Sequence, residues 1–296
     1  MRRAFLVAAI ACAVVLQSAP AFAWGTAAHR YITARAIELL PPELKPFFAH
    51  YRDQIVTRSI DPDTWRLIGW EDDPNHFLDF GAREYGTYPF VDLPREYGAA
   101  LEKFGRATLD RLGTLPWRYA EEFGNLRRAF EDFKRDTPYA PSNVVLFAPV
   151  AAHYIQDANQ PLHASINYDG QLTGNNGIHA RFERDLFERF ESRLRVTPSP
   201  PFPVPSSRDQ AFAALLASHQ LVEALLKADS EAVAGKDVYD DDYYEKLMAK
   251  VQPMLETRLA DSITATASMI IGAWEAAGKP MLKVEGARPL EKVRKP

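Results

Sequence analysis

The stretch His153-Tyr-Ile-Gln-Asp157-Ala-Asn-Gln-Pro161-Leu-His163 constrains this chain more than any other. It closes an apolar helical run from Val144 to Ile155 and then breaks at a proline. Residues four apart share one face of a helix, so His153 and Asp157 point the same way. Pro161 lets the chain leave the helix and turn back, and His163 follows it. Two imidazoles and a carboxylate converging like this suit a borderline-soft divalent cation, zinc first. The same letters also fit a capped helix with one buried and one surface histidine, because short metal patterns have many chance matches.

Residues 1–23 read as an export signal. Arg2 and Arg3 precede an apolar run from Ala4 to Leu16, and Ala21-Phe22-Ala23 supplies an A-x-A cleavage site. That run is too short for a permanent membrane-spanning helix. A lipoprotein reading through Ala9-Ile10-Ala11-Cys12 fits less well than the A-x-A site. The expected mature protein is therefore exported, periplasmic or secreted, begins at Trp24 and carries no transmembrane anchor. It keeps 273 of the 296 residues, enough for one large domain with a substantial core. Cys12 is the only cysteine, so the mature chain has no disulfide and relies on its core, on metal, or on both. Without Arg2 and Arg3, 33 basic residues face 39 acidic ones, a net charge of −6. Nothing in that balance announces a nucleic-acid binder, although a metal centre can supply positive charge locally.

Periodicity predicts an all-α fold. Helices are expected over about 28–40, 43–51, 95–112, 117–135, 142–158, 179–194, 208–228, 240–252 and 254–277. Residues 57–95, with Pro62, Pro74, Pro89 and Pro94, read as irregular, and 165–177 is a Gly/Asn-rich loop. Thr197 to Pro205 is a proline-rich surface strap. No internal repeat and no period-two run is present. The expected organisation is a single mostly helical domain over 24–278 with a metal cleft between helices, and a loose basic tail over 279–296.

His179-Ala-Arg-Phe-Glu183 repeats the four-residue interval of an imidazole and a carboxylate. Alone it reads first as a helix-surface pair. Joined to His163 by the Gly/Asn-rich loop, it gives a three-ligand set of His163, His179 and Glu183. His29 and His76 also sit in suggestive surroundings, whereas His50 and His219 have no carboxylate at ligand spacing and read as structural.

Trp24…His29, Asp63, His76-Phe-Leu-Asp79, His153-x3-Asp157-x5-His163 and His179-x3-Glu183 follow the order found in trinuclear zinc phosphodiesterases. The chain resembles that superfamily from Trp24 to about Trp274, and Asn159-Gln-Pro-Leu-His163-Ala looks like family text. The superfamily joins bacterial zinc-dependent phospholipases C with single-strand-specific zinc nucleases of the S-one/P-one type.

The resemblance implies three zinc ions in a helix bundle. One is expected on Asp63, His76 and His153 with Asp157 shared. The second is expected on the amino nitrogen and carbonyl oxygen of Trp24, His29 and the other oxygen of Asp157. The third is expected on His163, His179 and Glu183, with water completing the shell. Asp61 competes with Asp63, but Asp63-Thr-Trp-Arg66 matches the family pattern better. A free Trp24 amine exists only after signal cleavage, so export would complete the site.

The implied reaction is phosphodiester hydrolysis, with a hydroxide bridging the first two ions as nucleophile, Asp157 bridging those ions, and Asp63 orienting or deprotonating the water. Glu183, the short His163–His179 interval and the missing cysteines look like the phospholipase branch. Ala27 stands where those phospholipases carry an acidic residue for choline, which puts choline preference in doubt. Phe77 and Asp79 suit a nucleobase as in the nucleases, but the same His-Phe-x-Asp text is found in the phospholipases and does not separate the branches. The expected substrate is phospholipid, with single-stranded nucleic acid as the alternative, and no protein partner is implied. Arg181 and Arg184 read as solvated surface charges rather than phosphate ligands. A non-catalytic protein stabilised by closed zinc sites is the remaining reading.

Overall fold

The computed structural model describes residues 24–284, and its regular elements are all helical, with no strand among them. The signal reading at 1–23 and most of the basic tail lie outside the described residues. The helices in chain order are α1 (Thr26–Glu38), α2 (Lys45–His50), α3 (Arg52–Arg58), α4 (Asp61–Leu67), α5 (Tyr97–Phe104), α6 (Arg106–Leu112), α7 (Leu115–Lys134) and α8 (Ala140–Asp157). There follow α9 (Ile178–Ala180), α10 (Leu186–Phe190), α11 (Ser207–His219), α12 (Val222–Val233) and α13 (Asp241–Ala276).

Helix α8 is buried over 13 of its 18 residues, on every face, and a helix that is apolar all round belongs inside. Around it pack α1, α3, α7 and α13, and α13 also contacts α12. Placing α8 at the centre puts its C-terminal His153 and Asp157 inside the molecule with no solvent exposure.

Four expectations need correction. The stretch 57–95 contains α4, announced by Pro62 at its start and by Asp61 and Asp63 in its first turn. Residues 95–112 form two helices, because Gly105 sits at φ +76 between them. The helix expected over 208–228 is broken at Gln220 and Leu221 into α11 and α12. Conversely, Pro253 does not end a helix, and α13 runs through it. An interior proline costs about 3 kcal/mol. Burial of Met248, Val251, Leu255 and Leu259 on either side offsets that cost.

Among the described residues, Ser207–Val233 is long and apolar enough to cross a membrane by length and composition, yet it is folded as two helices. The first residues of the tail lie against the domain. Pro280 is buried and accepts from Trp274 Nε1, and Lys283 pairs with Asp136.

The segment 74–80 carries no regular strand but is held on both flanks by backbone hydrogen bonds. Thr114 N donates to Pro74 O, Leu115 N to Phe77 O and Asp79 N to Leu112 O. On the other side Leu78 N donates to His163 O and Ile166 N to Phe80 O. This seam positions His76, Phe77 and Asp79 against the end of α8. Gly113, at φ +92, makes the seam possible, since a Cβ there would lie 2.1 Å from Phe77 O.

Candidate metal centre

Five histidines and three carboxylates meet at the C-terminal end of α8. His29 comes from α1, Asp63 from α4, and His76 from a 3₁₀ turn at Asp73–His76. His153 and Asp157 close α8, and His163 sits on the 3₁₀ turn Pro161–Ala164. His179 lies on α9, and Glu183 on the π-turn Arg181–Asp185 that continues it, a local widening often found at functional sites. All eight residues are at most 5% exposed.

Three groups have donor atoms within 4.8 Å of one another and could each hold a metal ion: His29, His153 and Asp157; Asp63, His76 and His153; and His163, His179 and Glu183. Asp157 stands between the first two, with Oδ1 3.3 Å from His29 Nε2 and Oδ2 3.1 Å from His76 Nδ1 and 3.3 Å from His153 Nε2. Asp63 Oδ1 is 3.8 Å from His76 Nδ1 and 3.9 Å from His153 Nε2. In the third group His179 Nε2 lies 2.9 Å from Glu183 Oε2. Ligand atoms held tetrahedrally at the usual zinc distances stand about 3.3 Å apart, so these spacings fit such an ion.

The outward ring nitrogens decide what the inward ones can be. His153 Nδ1 faces Ser59 O at 2.8 Å, His179 Nδ1 faces Tyr168 O at 2.9 Å, and His163 Nδ1 faces His76 O. His76 Nε2 faces Asp72 Oδ2 at 3.0 Å, and His29 Nδ1 faces Gln156 Oε1 at 2.6 Å. Carbonyl and carboxylate oxygens only accept, so each of these nitrogens carries the proton. The inward nitrogens of the neutral rings then hold lone pairs. Yet His163 Nε2 and His179 Nε2 stand 3.1 Å apart, as do His153 Nε2 and His76 Nδ1. Two lone pairs in contact require a cation or an extra proton between them. His29 Nε2, both oxygens of Asp63 and Asp157 Oδ1 are also buried without a hydrogen-bond partner. Buried polar atoms are rarely left so, and a bound cation would satisfy all four.

Without an ion, protons compete for these positions. Burial pulls the His76 imidazole down, but Asp157, Asp72 and Asp63 push it up to about 9. Burial alone would raise Asp157, yet the surrounding histidines hold it well below the usual carboxylate range. His29 and His179 are likewise raised against their burial, by Asp157 and Glu183 respectively, whereas burial wins at His153 and lowers it.

The cluster opens into a cavity of about 350 Å³ lined by His76, His163 and His179, and by Arg66, Asp73, Phe77, Asp79, Arg111, Leu162 and Tyr168. Phe77 and Asp79 therefore both reach the cleft. Burial raises the Asp79 carboxyl to about 7, with Arg111 opposing. A larger cavity of about 560 Å³, lined in part by Tyr88, Asn167, His219 and Lys227, contains none of the eight cluster residues.

Trp24 lies beside the cluster, its indole buried and donating to Gln156 O at 2.8 Å. Asp61 points away and pairs with Arg58, leaving Asp63 at the cluster. His50 ends α2 at the surface, and His219 Nδ1 donates to Ala164 O. Arg184 is partly exposed and pairs with Asp185. The reading of Arg181 needs correction: it is buried, pairs with Asp229 and donates to Tyr243 OH. Sequence reasoning also missed the residues that orient the ligands. Asp72 receives Tyr154 OH at 2.8 Å besides His76. The Gln156 amide is fixed by Thr33 and Thr266, and Gln160 Nε2 donates to Glu183 at 2.9 Å. Only Asp72 left a signal, a carboxylate four residues before a histidine. Comparisons of the chain with protein-family models and with curated proteins both find no match.

Proposed function

We propose that this chain is a trinuclear zinc phosphodiester hydrolase, exported and processed to begin at Trp24, with phospholipid as its preferred substrate. The observation that carries the metal reading is the convergence of three buried donor groups, each with its ligand atoms within 4.8 Å, in which both Asp63 oxygens, Asp157 Oδ1 and His29 Nε2 have no hydrogen-bond partner. Five imidazoles with hard carboxylates favour zinc over magnesium or calcium. Bound zinc would lower the pKa of water and supply Lewis-acid charge.

The protein's own groups do the rest. Asp63 has no hydrogen bond to either oxygen and lies 3.7 Å from Arg66 Nη1, so the oxygen not given to an ion is left to orient a water or take its proton. Asp157 spans two sites, and Asp72, Gln156 and Gln160 hold ligands in register. Arg66 and Arg111 bring positive charge to the cleft wall, where a phosphodiester needs it. The cleft reaches His76, His163 and His179, an open arrangement that favours catalysis over closed structural sites.

Single-stranded nucleic acid is the second reading, favoured by one observation: Phe77 and the buried carboxyl of Asp79 share the cleft, an aromatic face beside a polar edge. Elemental analysis of the mature protein tests the metal. Hydrolysis of bis-p-nitrophenyl phosphate, lost with chelator and restored by zinc, tests the chemistry. Phosphatidylcholine vesicles against single-stranded DNA then separate the two substrates. Zinc-free protein, or no turnover of any of the three, would end the proposal.

A further inference from the structure

The geometry points to a membrane-contact tip on the rim of the metal cleft, formed by Leu67, Ile68 and Trp70, which seats the protein on a zwitterionic phospholipid surface. The inference rests on the phospholipid reading and adds the surface by which the protein reaches its substrate.

Helix α4 carries Asp63 into the cluster and Arg66 to the cleft wall, then ends at Leu67. The turn beyond it is closed by backbone hydrogen bonds: Ile68 N to Thr64 O, Gly69 N to Arg66 O, and Trp70 N to Trp65 O at 3.0 Å. Gly69 supplies the φ of +86 that this turn needs, and no atom lies within 4 Å of where its Cβ would stand. The Trp70 ring rests on Trp65 with centroids 5.4 Å apart. The tip is therefore a built feature, and it turns apolar side chains outward. Leu67 is 57% exposed, Ile68 64% and Trp70 59%.

Twelve large hydrophobic residues are exposed among those described, and three of them fall within these four positions. A concentration of this kind marks an interaction surface, whereas scattered ones need no explanation. Tyr168, another exposed aromatic, lines the same cleft. Tryptophan settles at the headgroup level of a bilayer, and leucine and isoleucine reach the acyl boundary. Charge selects the kind of surface. Glu71 follows the tip and is exposed, Asp73 pairs with Arg66 beside it at 3.0 Å, and the chain as a whole is acidic. The tip therefore carries no net positive charge to draw an anionic membrane or a polyanionic nucleic acid, and a neutral lipid face is the fitting partner.

The test is flotation of the zinc-loaded mature protein with phosphatidylcholine vesicles. Wild type should float, and Leu67→Ser/Ile68→Ser should lose about tenfold or more in partitioning, as should Trp70→Ser. Mixing phosphatidylserine into the vesicles should not raise binding. Thermal midpoint and hydrolysis of bis-p-nitrophenyl phosphate should match wild type in the double variant. The inference falls if wild type does not float, if the variants float equally, or if binding requires anionic lipid. It falls equally if the tip instead supports self-association or oligonucleotide binding that the double variant abolishes. Tip-dependent flotation without turnover of the soluble phosphodiester, phosphatidylcholine or single-stranded DNA would sustain the docking surface and sink only the catalytic reading.

Discussion

Replacing Asp72 by asparagine gives the sharpest test of the proposed metal centre, because its effect depends on pH in a way that simple damage does not. Asp72 Oδ2 lies 3.0 Å from His76 Nε2 and fixes the imidazole so that Nδ1 faces Asp63 and Asp157. Loss of such an orienting carboxylate typically costs about 10–100-fold in metal affinity, or roughly 1.4–2.8 kcal/mol. Against its burial, Asp157 and then Asp72 raise His76 to about 9, so at pH 7 a metal must first displace a proton. Two pH units below that pKa, the displacement costs about 2.7 kcal/mol. Asp72→Asn weakens the proton and the metal together. At pH 7 the two effects partly cancel, and above pH 9 only the lost metal affinity remains. Zinc titration against a competing chelator should therefore give a smaller difference between variant and wild type at pH 7 than at pH 9.5, where it should reach about 10–100-fold. A ratio constant across that range, or one that shrinks with rising pH, would refute the reasoning. Equal affinities at every pH would remove His76 from the metal centre.

Three further outcomes follow from the same structure. The raised pKa of His76 means that its charged form stabilises the ion-free fold; that contribution is complete below about pH 6.5 and is lost as pH rises through about 9. The thermal midpoint of chelated protein should fall over that window, and a flat profile would contradict the assignment. Arg181→Leu leaves the buried Asp229 without its cation, with Asn175 and Tyr243 still donating to it, which should cost about 3 kcal/mol in denaturant unfolding and lower zinc stoichiometry through the turn carrying His179 and Glu183. Retention of both stability and stoichiometry would show that this ion pair does not support the third group. Gly113→Ala pushes a methyl group to within 2.1 Å of Phe77 O at a left-handed backbone position and should destabilise the fold by about 2 kcal/mol or more, measured by thermal unfolding. A neutral result would mean that the 74–80 seam yields easily.

The sequence alone determined the all-α class, most helices and the identity of the residues that gather in the cluster. Periodicity placed α1, α7 and α8 within a few residues, and four-residue spacing paired His153 with Asp157 and His179 with Glu183. These are local properties, set by 3.6 residues per turn and by side chains that are near neighbours along the chain. It misjudged Pro253 and Gly105 because the cost of a breaker is local while the burial that offsets it is not. Tertiary structure alone decided which ring nitrogen of each histidine faces inward. Ser59, His76, Tyr168, Gln156 and Asp72 each supply one oxygen, from 4 residues away for Asp72 and His76 to 127 for Gln156 and His29. It also withdrew Arg181 from the surface into an ion pair with Asp229, 48 residues away, and left Leu67, Ile68 and Trp70 uncovered. Hydrogen-bond partners and burial depend on how distant segments pack, and no spacing along one helix encodes that.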